Sequence, residues 1–152
     1  MKIIKAQQTD LDTVKEITHT TVNTIYPHYY PDGAVKFFLE HHSDENIRDD
    51  ISKGCVYLLN DAEEKSIGTV TVKNNEICRL FVLPEYQGNG FGKILLDFSE
   101  AEIAKKYDEI VLDSSLSAKP VYIKRGYKER EYRTVRTSNG DCLCYDVMTK
   151  NI

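Results

Sequence analysis

The sequence has no Cys-x-x-Cys pair, no run of basic residues and no apolar stretch long enough to span a bilayer. Each absence excludes something. With no basic run and a formal net charge of −4, the chain lacks the electrostatic footprint of a phosphate-backbone binder, so nucleic acid is not an expected partner. Without about 20 consecutive apolar residues it has no candidate membrane helix. Met1-Lys2-Ile3-Ile4-Lys5 reads as a strand, too short a pattern for a signal peptide. The four cysteines, Cys55, Cys78, Cys142 and Cys144, read as reduced thiols of a cytoplasmic protein. Cys142 and Cys144 alternate on one predicted strand and share a face, but a metal there would need further His or Cys ligands. No metal is expected. Repeats, low-complexity tracts and interdomain linkers are missing as well, so residues 1–152 read as one domain with one sizeable core.

What is present is a regular alternation of patterns. Lys2 to Ala6 reads as an edge-forming first strand. Thr9, with Asp12 three residues on, has the spacing of a capping box, and Leu11, Val14, Ile17 and Val22 form the apolar face of the helix behind it. Tyr26-Pro27-His28-Tyr29-Tyr30-Pro31 breaks that helix. A second helix is predicted from about Asp32 to His41, and a third, capped by Ser43, carries Ile47 and Ile51. The middle is strand-rich. Cys55 to Leu59 and Ser66 to Lys73 read as strands, and Asn74-Asn75 turns the chain into the nearly continuous apolar run Ile77 to Leu83, the pattern of a central strand. Gly90 to Lys106 is helical, with Ile94, Leu95, Phe98, Ala101 and Ile103 predicted inward. Glu109 to Leu112 is a short strand, and Ser117 to Arg125 a short helix closed by Gly126. Tyr127 to Val135 and Asp141 to Met148 flank Ser138-Asn139-Gly140 as a final hairpin.

Between the central strand and the long helix lies Gln87-Gly88-Asn89-Gly90-Phe91-Gly92-Lys93. Strand, glycine-rich turn and helix together build an anion site. Glycine lets the backbone turn tightly and approach a ligand, and the first helical N–H groups have no intrahelical partner. A pyrophosphate suits them. The dinucleotide fingerprint fails here, because its third glycine comes one residue early and the turn sits in mid-chain. The P-loop fails too, since Gly92-Lys93 is followed by Ile94 and the residue five before Gly92 is Gln87.

Gln87, Gly90 and Gly92 instead fit Gln/Arg-x-x-Gly-x-Gly/Ala, which resembles the pyrophosphate loop of the Gcn5-related N-acetyltransferases, the GNAT superfamily. Ile77 to Tyr86 resembles the family's preceding strand and connector. Ala118-Lys119-Pro120-Val121-Tyr122-Ile123-Lys124-Arg125-Gly126-Tyr127 resembles its Ala-x-x-x-Tyr-x-x-x-Gly-Phe/Tyr segment. The resemblance covers roughly residues 64 to 135; the first sixty match in pattern only. It implies an α/β (α+β) fold, a mixed, mostly antiparallel sheet of about seven strands flanked by helices.

The resemblance also implies roles. Acetyl-CoA would be the co-substrate. Its pyrophosphate would lie on the N–H groups of Gly88, Asn89, Gly90, Phe91, Gly92 and Lys93, with Gln87 opening the turn. Its pantetheine arm would pair with Leu80, Phe81 and Val82, where the strand splays from its parallel neighbour, and a backbone N–H there would polarise the thioester. Lys93 either adds charge at the phosphates or is a solvated helix-start lysine. Ser115 stands where many members carry an asparagine, so that contact to the arm is in doubt. Lys124 either approaches the nucleotide end or is simply exposed. Tyr122 falls at the family's general-acid position, although a tyrosine packing its ring on the sheet would look the same. Glu76 sits where the protein-acetylating branch carries a glutamate that can take the amine proton through water; a solvated turn residue is the other reading. Tyr26, His28, Tyr29 and Tyr30, with His41 and His42 following soon after, form either an acceptor pocket for an amine or an interhelical packing corner.

Two functional classes follow. One is an N-acetyltransferase acting on a primary amine of a small molecule or peptide. The other is a non-catalytic acyl-CoA-binding sensor or interaction module. A homodimer through the last strands is compatible with either.

Overall fold

The computed structural model describes residues 1–152. Its centre is a seven-stranded sheet in the order β1-β2-β3-β4-β5-β7-β6. The strands are β1 (Lys2–Lys5), β2 (Val56–Asn60), β3 (Ser66–Lys73), β4 (Glu76–Val82), β5 (Glu109–Ser114), β6 (Lys128–Arg136) and β7 (Cys142–Asn151). Only β4 and β5 run parallel; all other neighbours are antiparallel. The helices are α1 (Leu11–Ile25), α2 (Asp32–His41), α3 (Asp44–Ser52), α4 (Phe91–Ala104) and α5 (Lys119–Lys124). None is long and apolar enough to cross a membrane.

The helices take opposite faces of the sheet because their apolar stripes do. Val14, Ile17 and Val22 of α1, Ala34 and Val35 of α2, and Ile47 and Ile51 of α3 join Val56, Leu58 and Phe81 in one buried cluster. Leu95, Leu96 and Ile103 of α4 join Leu59, Ile67, Val70, Ile77, Val82 and Leu112 in the other. Two apolar layers against one sheet are the usual way to bury both of its faces.

β4 carries the irregularity that shapes the molecule. Thr71 of β3 pairs with Arg79, but the next residue, Val72, pairs with Ile77. Cys78 is therefore an extra residue, a β-bulge. A bulge bends its strand and sharpens the twist. The parallel pairing with β5 ends at the same point: Glu76 is matched to Val111 and Ile77 to Leu112, and no pair follows. Beyond the bulge the two strands diverge.

Several local expectations change. Thr9 does not cap α1. A short 3₁₀ turn, Gln8–Asp10, precedes the helix, and the Asp10 carboxylate accepts from the Gln7 N–H at 2.8 Å. Ser43 does cap α3, accepting from the Asn46 N–H. Ala101 faces solvent, and Leu96 and Ser99 take inner positions on α4. Glu76 is the first residue of β4 rather than part of the turn, which is left to Asn74 at φ 53° and Asn75.

Candidate active site

The loop between β4 and α4 has the backbone an anion needs. Gly88 and Gly90 have φ of 79° and 84°, values that side chains with a Cβ rarely adopt. Gln87 is tied down by its side chain, whose Nε2 donates to the Val82 carbonyl at 2.9 Å. The Asn89 amide donates to the carbonyls of Tyr86 and Gln87, both at 3.2 Å. The first N–H that closes the helix is that of Ile94, to Gly90 O at 3.1 Å. The N–H groups just before it have no helical carbonyl to reach. A Cβ built on Gly88, Gly90 or Gly92 would meet nothing within 4 Å, so the loop surface lies open.

Beside the loop, the splay exposes the edge of β4. The Leu83 N–H donates to Ile67 O of β3 at 2.9 Å. Backbone groups alternate sides along a strand, so the N–H and C=O of Val82 and of Leu80 point the other way, into the gap toward β5. The Val82 carbonyl is taken by Gln87 and by the Thr21 hydroxyl at 3.2 Å. The Leu80 groups and the Val82 N–H are left for a guest that extends like a strand.

Two cavities meet in this gap. The first, about 580 Å³, joins the loop glycines and Lys93 to Leu80, Phe81 and Val82 and to Ser115, Val121 and Tyr122. The second, about 390 Å³, opens on the other side and is lined by Phe37, Phe38, His41, His42, Glu76 and Asp113, among others. Tyr26, Leu80, Phe81, Ser115, Ala118 and Tyr122 line both. Tyr122 thus stands at the junction. It is buried, packs edge-on against Tyr127 at 5.5 Å, and burial raises its phenol above the ordinary value. Burial raises Tyr26 as well, with the Ser115 hydroxyl beside it acting the other way.

The second cavity is acidic at one wall. Glu76 is half-buried; burial and then the nearby Asp113 raise its carboxyl above the usual range, with Lys73 opposing. Burial likewise raises Asp113. Burial, and next the charge of Glu76, push the bulge thiol of Cys78 up to about 12, so it is protonated at neutral pH. Behind this wall lies a buried ionic network that the sequence did not announce. The Arg79 guanidinium donates Nη1 to Thr71 at 2.7 Å, Nη2 to Asp50 at 3.3 Å and Nε to His42 at 3.2 Å. Lys73 closes on the other oxygen of Asp50 at 2.6 Å. The one signal available was a charged Arg79 inside an apolar strand; buried charges require partners.

The structure brings most of the expected residues together. Leu80, Phe81, Val82, Gln87, Gly88, Gly90, Gly92, Lys93, Ser115 and Tyr122 share the first cavity. Lys93 lines it while pairing with Asp97 at 2.8 Å. Asn89 and Phe91 support the loop from outside the cavity wall; Phe91 packs on Tyr86 at 6.2 Å. Lys124 is exposed and lines neither cavity. Among the four aromatic and histidine residues, Tyr26 lines both cavities, whereas His28 and Tyr29 line only the first, on the loop side. Tyr30 lines neither: its hydroxyl accepts from the Leu116 N–H and donates to the Cys144 carbonyl. Glu76 lies in the second cavity. His41 and His42, which follow the aromatic cluster in the sequence, line that cavity too, together with Asp113, which no sequence pattern singles out.

Comparison with known proteins agrees with this geometry. A family model described as an acetyltransferase (GNAT) domain matches residues 25–140. No curated protein matches in sequence. Among solved structures, a GCN5-related N-acetyltransferase from Rhodopseudomonas palustris superposes with a TM-score of 0.89 at 21% identity, over 99% of this chain and 95% of that one. The PaiA N-acetyltransferase of Thermoplasma acidophilum, in complex with coenzyme A, gives 0.77 at 23%, over 99% and 98%. The ribosomal-protein-S18-alanine N-acetyltransferase of Escherichia coli gives 0.65 at 20%, over 99% and 93%. At these identities the likeness is one of fold.

Proposed function

The chain belongs to the GNAT acetyltransferase family, and from that premise we propose that it moves the acetyl group of acetyl-CoA to a primary amine of a small molecule or peptide, by direct transfer within one ternary complex. The observation that carries this reading is the meeting of two cavities at Tyr122, one floored by unpartnered loop N–H groups and the other walled by carboxylates.

Acetyl-CoA supplies an activated acetyl thioester. The residues present suit such a guest. A loop of Gly88, Gly90 and Gly92 with no neighbour where a Cβ would stand leaves room for a pyrophosphate against the α4 N-terminus, where the helix dipole favours negative charge. The Leu80 and Val82 backbone groups would hold the amide-bearing arm. An N–H of this stretch would bind the carbonyl oxygen as charge develops on it, usually a large catalytic contribution. Tyr122 keeps its proton at the junction and would give it to the departing thiolate; its raised pKa keeps the phenol protonated until then. Glu76, in a setting that raises its proton affinity, would take the amine proton through water. Asp113 beside it favours a cationic amine entering the cavity.

The open second cavity supports catalysis over the alternative of an acyl-CoA-binding sensor, which needs no acceptor site. We place the protein in the cytoplasm, which the four free cysteines suit, and read residues 1–152 as one N-acetyltransferase domain. Beyond the amine acceptor, a homodimer through the exposed edge strand β6 is the partner we propose; light scattering tests it. The activity is tested by thiol release from acetyl-CoA across an amine panel, with calorimetry of acetyl-CoA alone. Binding with amine-dependent release supports the enzyme. Binding without release across a broad panel favours the sensor, and no binding refutes both.

A further inference from the structure

The imidazole of His42 is fixed in one chemical state. Its Nδ1 faces Nε of Arg79 at 3.2 Å. A guanidinium nitrogen can only donate, so Nδ1 accepts and the ring proton resides on Nε2. Burial, then the charge of Arg79, lowers the pKa of His42 to about 2. The ring is held in place as well: it meets the Phe81 ring edge-on at 5.5 Å, and the main-chain carbonyl of His42 lies 2.7 Å from Nε2 of His19. Nε2 of His42 has no partner within the chain. Thr18 Oγ1 is the one sealed side-chain oxygen or nitrogen without a partner, so Nε2 of His42 is not sealed. It opens into the 390 Å³ cavity that His42 lines.

We infer that His42 is a specificity-determining residue of the acceptor cavity, whose Nε2–H donates to a neutral oxygen carried by the acceptor molecule alongside its amine. This rests on the reading of the second cavity as the acceptor site. His42 cannot serve as a base there, because one nitrogen holds the proton and the other is engaged by Arg79. It can only donate. The remaining walls narrow the acceptor further. Tyr26, Phe37, Phe38, Phe81 and Tyr145 offer an apolar, aromatic surface. Glu76 and Asp113 repel a free carboxylate, and Lys73, the cation that could attract one, is engaged with Asp50. The acceptor class is therefore an amino amide or peptide-like amine with an apolar side group, rather than a free amino acid or a plain alkylamine.

The test compares phenylalaninamide with phenethylamine, which differ by the carboxamide. The expected result is a kcat/KM higher by about 10- to 100-fold for the amide, carried mainly in KM, the range a hydrogen bond to a buried site supplies. His42→Asn can keep an oxygen toward Arg79 but has no N–H at the Nε2 position; it should lower kcat/KM for phenylalaninamide far more than for phenethylamine and so erase the preference. His42→Gln places an amide N–H near the lost Nε2 and should restore part of it. Equal kcat/KM for both amines in the parent, or an equal loss for both in His42→Asn, would overturn the inference. So would acetyl-CoA binding with neither amine acetylated, which leaves the cofactor reading intact; absent acetyl-CoA binding removes the acetyltransferase reading and this inference with it. Nitrogen-15 NMR of the imidazoles gives a readout independent of turnover. His42 should show the Nε2–H form without titrating between about pH 5 and 8, the window in which an ordinary histidine changes charge. Titration there would also refute the assignment.

Discussion

The Leu116 N–H donates to the Tyr30 hydroxyl at 2.8 Å. Leu116 lies just past β5, on the far side of the splay, and Tyr30 follows α1. The same hydroxyl donates to the Cys144 carbonyl of β7 at 3.2 Å. A residue expected to touch the acceptor is thus a clasp that sets where the β5–α5 loop, with Ser115, stands. Tyr30→Phe should leave one N–H and one carbonyl unpartnered and cost about 1–3 kcal/mol. Chemical denaturation should show a lower midpoint at unchanged slope, and an unchanged midpoint would mean that water replaces the phenol fully.

Gly92→Asp separates binding from folding. Gly92 is not at positive φ, and a Cβ there meets nothing within 4 Å. A carboxylate in the first turn of α4 favours the helix by about 0.3–1 kcal/mol. The same charge repels a pyrophosphate. The variant should melt at or slightly above the parent temperature and bind acetyl-CoA at least about tenfold more weakly by calorimetry. Parent-like affinity would remove the loop from the cofactor site.

Tyr122→Phe should leave stability close to the parent, because burial of the hydroxyl is the main force on its pKa and no hydrogen bond within the chain acts on it. Turnover should fall by about 10² to 10⁴, the usual contribution of a general acid, while acetyl-CoA affinity is kept. Turnover within about twofold of the parent would reduce Tyr122 to packing.

Glu76→Gln has two readouts of defined sign. The folded state raises the Glu76 pKa through burial and Asp113, so the folded chain binds this proton more tightly than the unfolded one. Ionisation of Glu76 therefore opposes folding once pH exceeds its raised pKa, and the penalty disappears below the ordinary carboxylate value. The glutamine variant should be more stable than the parent at pH 7 and should lose that advantage at about pH 4. In a pH–rate profile on one amine, it should lack the acidic limb set by Glu76 and show a lower plateau. Superimposable profiles would leave proton removal to water alone.

The legible parts of the molecule were those encoded locally. Glycines at 88, 90 and 92 between a strand and a helix pattern, and apolar periodicity in α1 and α4, depend on neighbours within a few residues. The partners of Arg79 do not: Asp50 and His42 lie 29 and 37 residues away, and no local pattern couples them. The sequence leaves Glu76 open to a turn or a site role because strand ends are set by pairing, here with Lys73 and Val111. The role of Tyr30 was hidden for the same reason. An aromatic cluster looks alike whether its hydroxyls face a cavity or, as with Tyr30, Leu116 and Cys144, the backbone of distant strands.

The cleft can also be viewed as an insertion one residue wide. On β4, Ile77 and Val82 belong to the layer against α4, and Phe81 and Leu83 to the layer against α1. Cys78 lies where the inward–outward count would otherwise run without interruption. Removing it would leave every flanking side chain on its present face while allowing β4 to continue straight beside β5. One inserted residue thus marks the point where two strands of a continuous sheet part and a cleft begins.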